Sequence, residues 1–213
     1  TQTKKILQMS KSNKVNIHEA SMYRYHLQYS HLKEVIYKNF EHINTATATF
    51  SIPKLEKENI RYNKSLGGGG LLDVGFYPIS ILISLFGKPL KVKAFGIKNN
   101  HYDVILKGTA LFKYKKFVAI ANWGINSDYN NHFQFSAKNR NFYYDRIFSK
   151  PFDYDSFFIK KSEGIEEKFV LGRDDHFLNM IENMLLNKKL IKDYYDTSVI
   201  AKVMDIINSQ INK

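Results

Sequence analysis

The sequence predicts an α+β fold, a large and mostly antiparallel open sheet with helices packed on one face. Three observations carry that expectation. Strand-like segments are grouped between residues 90 and 171, helical segments flank them on both sides, and no regular βαβ alternation joins the two.

Residues 1–13 have helical spacing, with Ile6, Leu7 and Met9 apolar and Lys4, Lys5 and Lys11 outside. Val15 to Ala20 alternates as a strand. Leu32, Val35 and Ile36 mark a second short helix. Residues 43–52 read as a clear strand: Thr45, Thr47, Thr49 and Ser51 share one face, Ala46, Ala48, Phe50 and Ile52 the other. A polar loop leads into Gly67-Gly-Gly-Gly70 and an apolar helix over 71–86, stopped by Gly87-Lys-Pro89. Pro78 removes a helix hydrogen bond to about Val74, so a kink or a late start near Gly75 is expected. Strands follow at 90–97, 103–114, 117–124, 131–138, 141–147, 156–161 and 166–171, with hairpin turns at Lys115-Lys116 and Asn139-Arg140. Helices over 174–187 and 195–211 close the chain, and Asp174-Asp175-His176 opens the first of them as capping residues. No repeat, low-complexity tract or Pro/Gly linker divides the chain.

Composition excludes several classes of function. With 15% aromatic residues among 213, the chain is too rich in core formers to be disordered. Its longest apolar stretch, Val74 to Gly87, is shorter than the roughly 20 residues a bilayer span needs, so no membrane partner is expected. There is no cysteine, hence no disulfide frame, thiolate metal site or catalytic thiol. The seven histidines lack ligand spacing, so no metal is expected. No signal peptide opens the chain, which makes a cytoplasmic location the default. The net charge of +12 rests on scattered lysines, and only Arg24, Arg61, Arg140, Arg146 and Arg173 are arginines; nucleic acid is therefore not the expected partner.

One segment is chemically specific: Gly67-Gly-Gly-Gly-Leu-Leu-Asp73-Val-Gly75-Phe-Tyr77-Pro-Ile79. A glycine run lets backbone approach backbone or ligand closely. Asp73 is expected in the first helical turn, with Tyr77 four residues on and projecting from the same face. A carboxylate beside a phenol is a workable proton-transfer pair, although capping by Asp73 and burial of Tyr77 would produce the same spacing. A phosphate loop is excluded, because no Gly-x-Gly-x-x-Gly follows a strand and no Gly-Lys-Ser/Thr is present. Among lesser candidates, Arg61 could contact an anionic substrate, His26 could line a cleft, and Asn122 with Trp123 could stack on a sugar ring. Trp123 reads equally as core.

This segment resembles the signature of the Gfo/Idh/MocA family of nicotinamide-dependent oxidoreductases. Glu19-Ala-Ser-Met-Tyr-Arg24-Tyr-His26 is similar to that family's Glu-Ala-x-Met-Tyr-Arg-x-His-Pro segment, with Leu27 in place of proline. The resemblance spans the chain and implies a C-terminal α/β domain that presents its sheet to substrate and to other subunits. It places the family's catalytic aspartate at Asp73. Tyr77 stands where most members have a catalytic histidine, as in the glucose-fructose oxidoreductase and dihydrodiol dehydrogenase type. Arg24 matches a position lining the cofactor and substrate cleft.

The cofactor fingerprint and the Glu-Lys-Pro lysine of the family are not in this chain. The resemblance implies that residues 1–20 are the closing helix and strand of a Rossmann domain and 21–213 the substrate and oligomerisation domain. NAD or NADP would be bound mainly by the missing half. The implied activity is hydride transfer between that cofactor and a sugar or cyclic alcohol, with this chain alone inactive. Its implied partners are the missing half, a carbohydrate-like small molecule and further copies of itself meeting through the sheet. The alternative is a non-catalytic module that kept the fold and oligomerises or binds carbohydrate.

Overall fold

A computed structural model describes residues 2–98, 101–186 and 191–212; Thr1 and Asn187, at the ends of two expected helices, lie outside the described residues. The helices are α1 (Gln2–Asn13), α2 (Leu27–Asn39), α3 (Phe76–Phe86), α4 (His176–Leu186) and α5 (Ile191–Ile211). The strands are β1 (Ile43–Ile52), β2 (Lys91–Lys98), β3 (Ile105–Lys113), β4 (Val118–Ile125), β5 (Asn130–Ala137), β6 (Arg140–Asp145), β7 (Ser156–Ser162) and β8 (Ile165–Gly172).

All eight strands form one open sheet in the order β2-β3-β4-β1-β5-β6-β7-β8. Only β1 and β4 run parallel; every other neighbouring pair is antiparallel. The α+β reading holds. The Thr/Ala alternation of β1 sorts the two faces, with Ala46, Ala48 and Phe50 buried beneath α3 and Thr45 exposed on the other side. On that outer face Thr109 donates to Asn122 Oδ1 at 2.9 Å, and Asn122 donates to Thr49 Oγ1 at 3.3 Å. The inner face is covered by α3 over β1 and β4 and by α5 over β2 and β3.

Three local expectations need correction. Residues 15–20 carry no strand: the Val15 N–H donates to Ser10 O at 3.0 Å and the Val15 carbonyl accepts from Ser10 Oγ, so the chain turns back on α1 instead of pairing. The β5–β6 turn falls one residue earlier than expected, at Lys138-Asn139. Both residues have positive φ (50° and 59°), the geometry of a two-residue hairpin. The third concerns Asp73. With Pro78 in the first turn, where a missing N–H costs no hydrogen bond, α3 starts at Phe76, so Asp73 belongs to the turn before the helix.

The glycine run is held in place by one indole. Trp123 on β4 is 3% exposed and packs against three glycines, two from the turn over 70–75 and one from β3. A Cβ at Gly108 would lie 2.3 Å from its Cζ2, and Cβ atoms at Gly75 and Gly70 would lie 3.1 Å from Cγ and Cδ1. A Cβ at Gly70 would also meet Leu106 O at 2.1 Å, because Gly70 N donates to Ile105 O at 2.8 Å. Trp123 is therefore core, and Gly70 is glycine because it lies flat on the β3 backbone and the indole; a Cβ at Gly68 would meet the carbonyls of Ile60, Arg61 and Asn63, and Gly67 and Gly69 take positive φ (77° and 113°).

A polar knot fastens α4 to the body. Asp175 caps α4 by accepting from Phe177 N and Leu178 N, both at 3.0 Å. Asp174 accepts from Leu27 N at 2.7 Å, and Asn179 donates to Tyr25 O at 3.0 Å. Behind them lies buried Lys150, which donates to Gln28 Oε1; Gln28 in turn donates to Asp145 O and Phe157 O, each at 2.9 Å. Burial drives the Lys150 amine down to about 7 against the opposing pull of Asp145 and Asp174. Burial, together with the Lys150 charge, takes His26 down to about 4, and the same two effects lower His176.

Two predictions follow from this packing. Gly108→Ala should cost about 1–3 kcal/mol by overpacking the indole, read as a lower urea midpoint with unchanged slope. The buried amine makes stability depend on pH. Between pH 7 and 10.5 the unfolded chain holds a proton on Lys150 that the folded chain has lost, so stability rises with pH, by at most about 1.4 kcal/mol per unit. Lys150→Met should flatten that rise between pH 7 and 9 in urea titrations; an unchanged slope would contradict it.

Candidate active site

The turn over 71–75 and the first residues of α3 open onto a cavity of about 470 Å3. It is lined by Glu19, Asp73, Phe76 and Tyr77 together with Gln2 and Thr3 of α1 and Thr197 and Asp205 of α5. Asp73 and Tyr77 thus share one cavity, although Asp73 precedes the helix.

Tyr77 is held by rings. Phe50 meets it edge-on at 5.1 Å between centroids, with Phe76 at 5.8 Å and Phe148 at 5.9 Å. Its hydroxyl donates only a weak contact, to Met22 Sδ at 3.7 Å. Burial raises the phenol above its ordinary pKa, and the charge of Asp73 raises it further, with Arg61 pulling the other way. Tyr77 therefore holds its proton at neutral pH.

Arg61 reaches Asp73, and the two side chains line a smaller cavity of about 130 Å3 beside Gly67, Gly68 and Gly69. Its Nε donates to Asp73 Oδ2 and its Nη2 donates to Asp73 Oδ1 at 3.3 Å, a two-point clamp. About a third of each side chain is exposed, 36% for Arg61 and 34% for Asp73. Asn59 steadies the arginine, its Oδ1 accepting from Arg61 N at 3.1 Å and Nη1 at 3.4 Å.

The other two sequence candidates lie elsewhere. Arg24 does not line the cavity; its Nη1 is 3.5 Å from Asp196 Oδ2, against α5. His26 is 1% exposed and caps α2, its Nδ1 accepting from Gln28 N at 3.0 Å, while Ser156 Oγ lies 3.4 Å from its Nε2. Sequence reasoning assigned no role to Glu19 and missed Thr197 and Asp205, whose approach from α5 left no local signal.

The glycine run cannot cradle a dinucleotide phosphate. The N–H groups of Gly67, Gly68, Gly69 and Gly70 donate to the carbonyls of Lys64, Asn63, Arg61 and Ile105, so none is left to face an anion. The cavity beside the run instead presents a carboxylate, Asp73, and a phenol, Tyr77. Among the described residues no group of three or more His, Cys, Asp or Glu could hold a metal ion, and no helix is long and apolar enough to cross a membrane.

Comparison with known proteins gives a consistent result. The GFO/IDH/MocA C-terminal domain matches residues 32–140. A dTDP-3,4-didehydro-2,6-dideoxy-alpha-D-glucose 3-reductase of Actinomadura kijaniata is 26% identical over 183 residues, covering 84% of this chain and 55% of its own length. The chain thus spans about half the length of that curated relative. The crystal structure of KijD10, a 3-ketoreductase from Actinomadura kijaniata in complex with NADP and TDP-benzene, superposes with a TM-score of 0.92. It is 24% identical, and the match covers 99% of this chain and 67% of that one. An aldose-aldose oxidoreductase from Caulobacter crescentus complexed with glycerol reaches a TM-score of 0.84 at 14% identity, over 99% of this chain and 66% of its own. The sheet topology, the Asp73–Tyr77 cavity and the match over residues 32–140 agree: the chain belongs to the GFO/IDH/MocA family of oxidoreductases and carries that family's C-terminal domain.

Proposed function

We propose that this chain is the substrate-binding part of an NADP-dependent ketoreductase that reduces the ketone of a sugar, in the manner of the relatives it matches. The observation that carries the reading is the raised phenol of Tyr77 beside Asp73 in a shared cavity. Reduction of a ketone adds hydride to carbon and leaves charge on oxygen, which a neutral phenol can quench by giving up its proton. Tyr77 is that donor. Asp73 orients the sugar by accepting a hydroxyl hydrogen, and a lysine outside this chain completes the set.

The nicotinamide cofactor supplies the hydride and is held by a dinucleotide-binding half outside the residues described, since the amides of residues 67–70 are spent on carbonyls. Arg24 and His26 act as supports, through Asp196 and the α2 cap, rather than as ligands. The outer sheet face, which the helices leave uncovered, is the surface through which copies of the protein associate.

Tyr77→Phe, in the protein joined to its dinucleotide-binding half, should lower kcat by about 10²–10⁴ while KM for the keto-sugar changes little. Retained turnover would remove Tyr77 from the mechanism. NADPH titrated into the 213-residue chain, followed by nicotinamide fluorescence, should show no tight binding. Sub-micromolar affinity would place the cofactor site within this chain. The DNA upstream of the Thr1 codon should encode an in-frame Gly-x-Gly-x-x-Gly and Glu-Lys-Pro; a start codon there with neither motif in an adjacent gene would favour the non-catalytic module.

A further inference from the structure

Arg61 offers a role that a substrate contact does not explain. Its guanidinium engages both oxygens of Asp73, and its own backbone is woven into the glycine run: Gly69 N donates to Arg61 O at 2.8 Å, and a Cβ at Gly68 would meet that oxygen at 2.7 Å. The short helical turn Ile60–Tyr62 is fixed from outside as well, because Tyr62 donates to Asn126 Oδ1 and Leu55 N donates to Tyr62 Oη at 3.0 Å. Arg61 is thus placed by a frame that is complete before any ligand arrives.

We propose that Arg61 is a positioning residue for the Asp73–Tyr77 pair: it fixes the rotation of the Asp73 carboxylate and offsets the negative charge that Asp73 presents to the Tyr77 hydroxyl. The role rests on the reading of Asp73 and Tyr77 as the reacting pair. Two consequences follow from the geometry. With the clamp on one side of the carboxylate, the lone pairs left to a sugar hydroxyl are those facing the cavity, so Asp73 accepts from one direction. With a guanidinium charge beside it, the carboxylate perturbs the phenol less than a bare one would, which keeps the Tyr77 proton transferable. The charged and titratable groups around the phenol are Asp73, Arg61, Tyr23 and Glu19, and among these Arg61 is the only cation.

The test needs no turnover, so its failure is separable from failure of the catalytic reading. Tyrosine labelled with 13C at Cζ is titrated by NMR in the intact 213-residue chain, with the Tyr77 signal assigned through Tyr77→Phe. Arg61→Met should move the Tyr77 titration upward by roughly 0.5–1 pH unit, the low end of the effect of a nearby charge because both partners are partly exposed. Arg61→Lys keeps the charge and should bring the titration back toward wild type, which a purely structural role would not do. Should Arg61→Met not fold, Asn59→Ala loosens the same guanidinium and should move the titration the same way by less. A Tyr77 titration left in place by these variants overturns the proposal. If the titration moves as expected but Tyr77→Phe retains turnover, the clamp stands and the catalytic reading falls.

Discussion

The contact on which the rest of the site depends is the packing of Trp123 against Gly70, Gly75 and Gly108. An indole on the central part of the sheet fills the space that three Cβ atoms would occupy, so the chain after the loop lies directly on β3 and β4. That seating decides where α3 begins its path across the sheet, and with it where Asp73 and Tyr77 point. Because interiors are packed as densely as organic crystals, such a seat is rigid, and a displacement of an ångström would be felt at both side chains. The amides of the glycine run are consumed beside it, three by the carbonyls of Lys64, Asn63 and Arg61 and one by Ile105 of β3, turning a motif that looks like an anion cradle into a structural strap.

Charge in this protein is organised locally rather than globally. The net +12 comes largely from dispersed surface lysines, whereas the chemistry is arranged in two small groups of opposite character. One is the clamp of Arg61 on Asp73 beside a phenol, half exposed and open to a cavity. The other is the knot of buried Lys150, His26 and His176 beside half-buried Asp174, where desolvation holds the imidazoles and much of the amine neutral. A buried charged group without a matched partner gives up its charge, whereas a paired group at a cavity edge keeps it. The first arrangement is suited to reaction and the second to fastening α4.

Much of this could be read from residues alone. The Thr/Ala alternation of 43–52 located β1 to the residue, and the strand block yielded all seven remaining strands within one or two residues, because period-two burial is written locally. Asp73 and Tyr77 stood out by the glycine run before them. The errors arose where geometry is not local. Residues 15–20 alternate like a strand, yet Ser10 takes both backbone groups of Val15. Lys138-Asn139 rather than Asn139-Arg140 makes the turn because positive φ at both positions is needed to match the strand twist. The pairing of Arg61 with Asp73 was not legible either, because its partner lies twelve residues away across a loop whose return no spacing rule describes.

The sequence by itself determined the class of fold and the family resemblance, and it singled out Asp73 and Tyr77 as the candidate pair, since each is carried by patterns of neighbouring residues. Only the tertiary structure decided what those residues touch. It brought α5 to the cavity that Tyr77 lines, returned Arg61 to Asp73, assigned His26 to a helix cap and put Trp123 in the core. The reason is physical: burial, desolvation and hydrogen-bond geometry depend on groups brought together from distant parts of the chain, and a local pattern states what a residue can do without stating its partner.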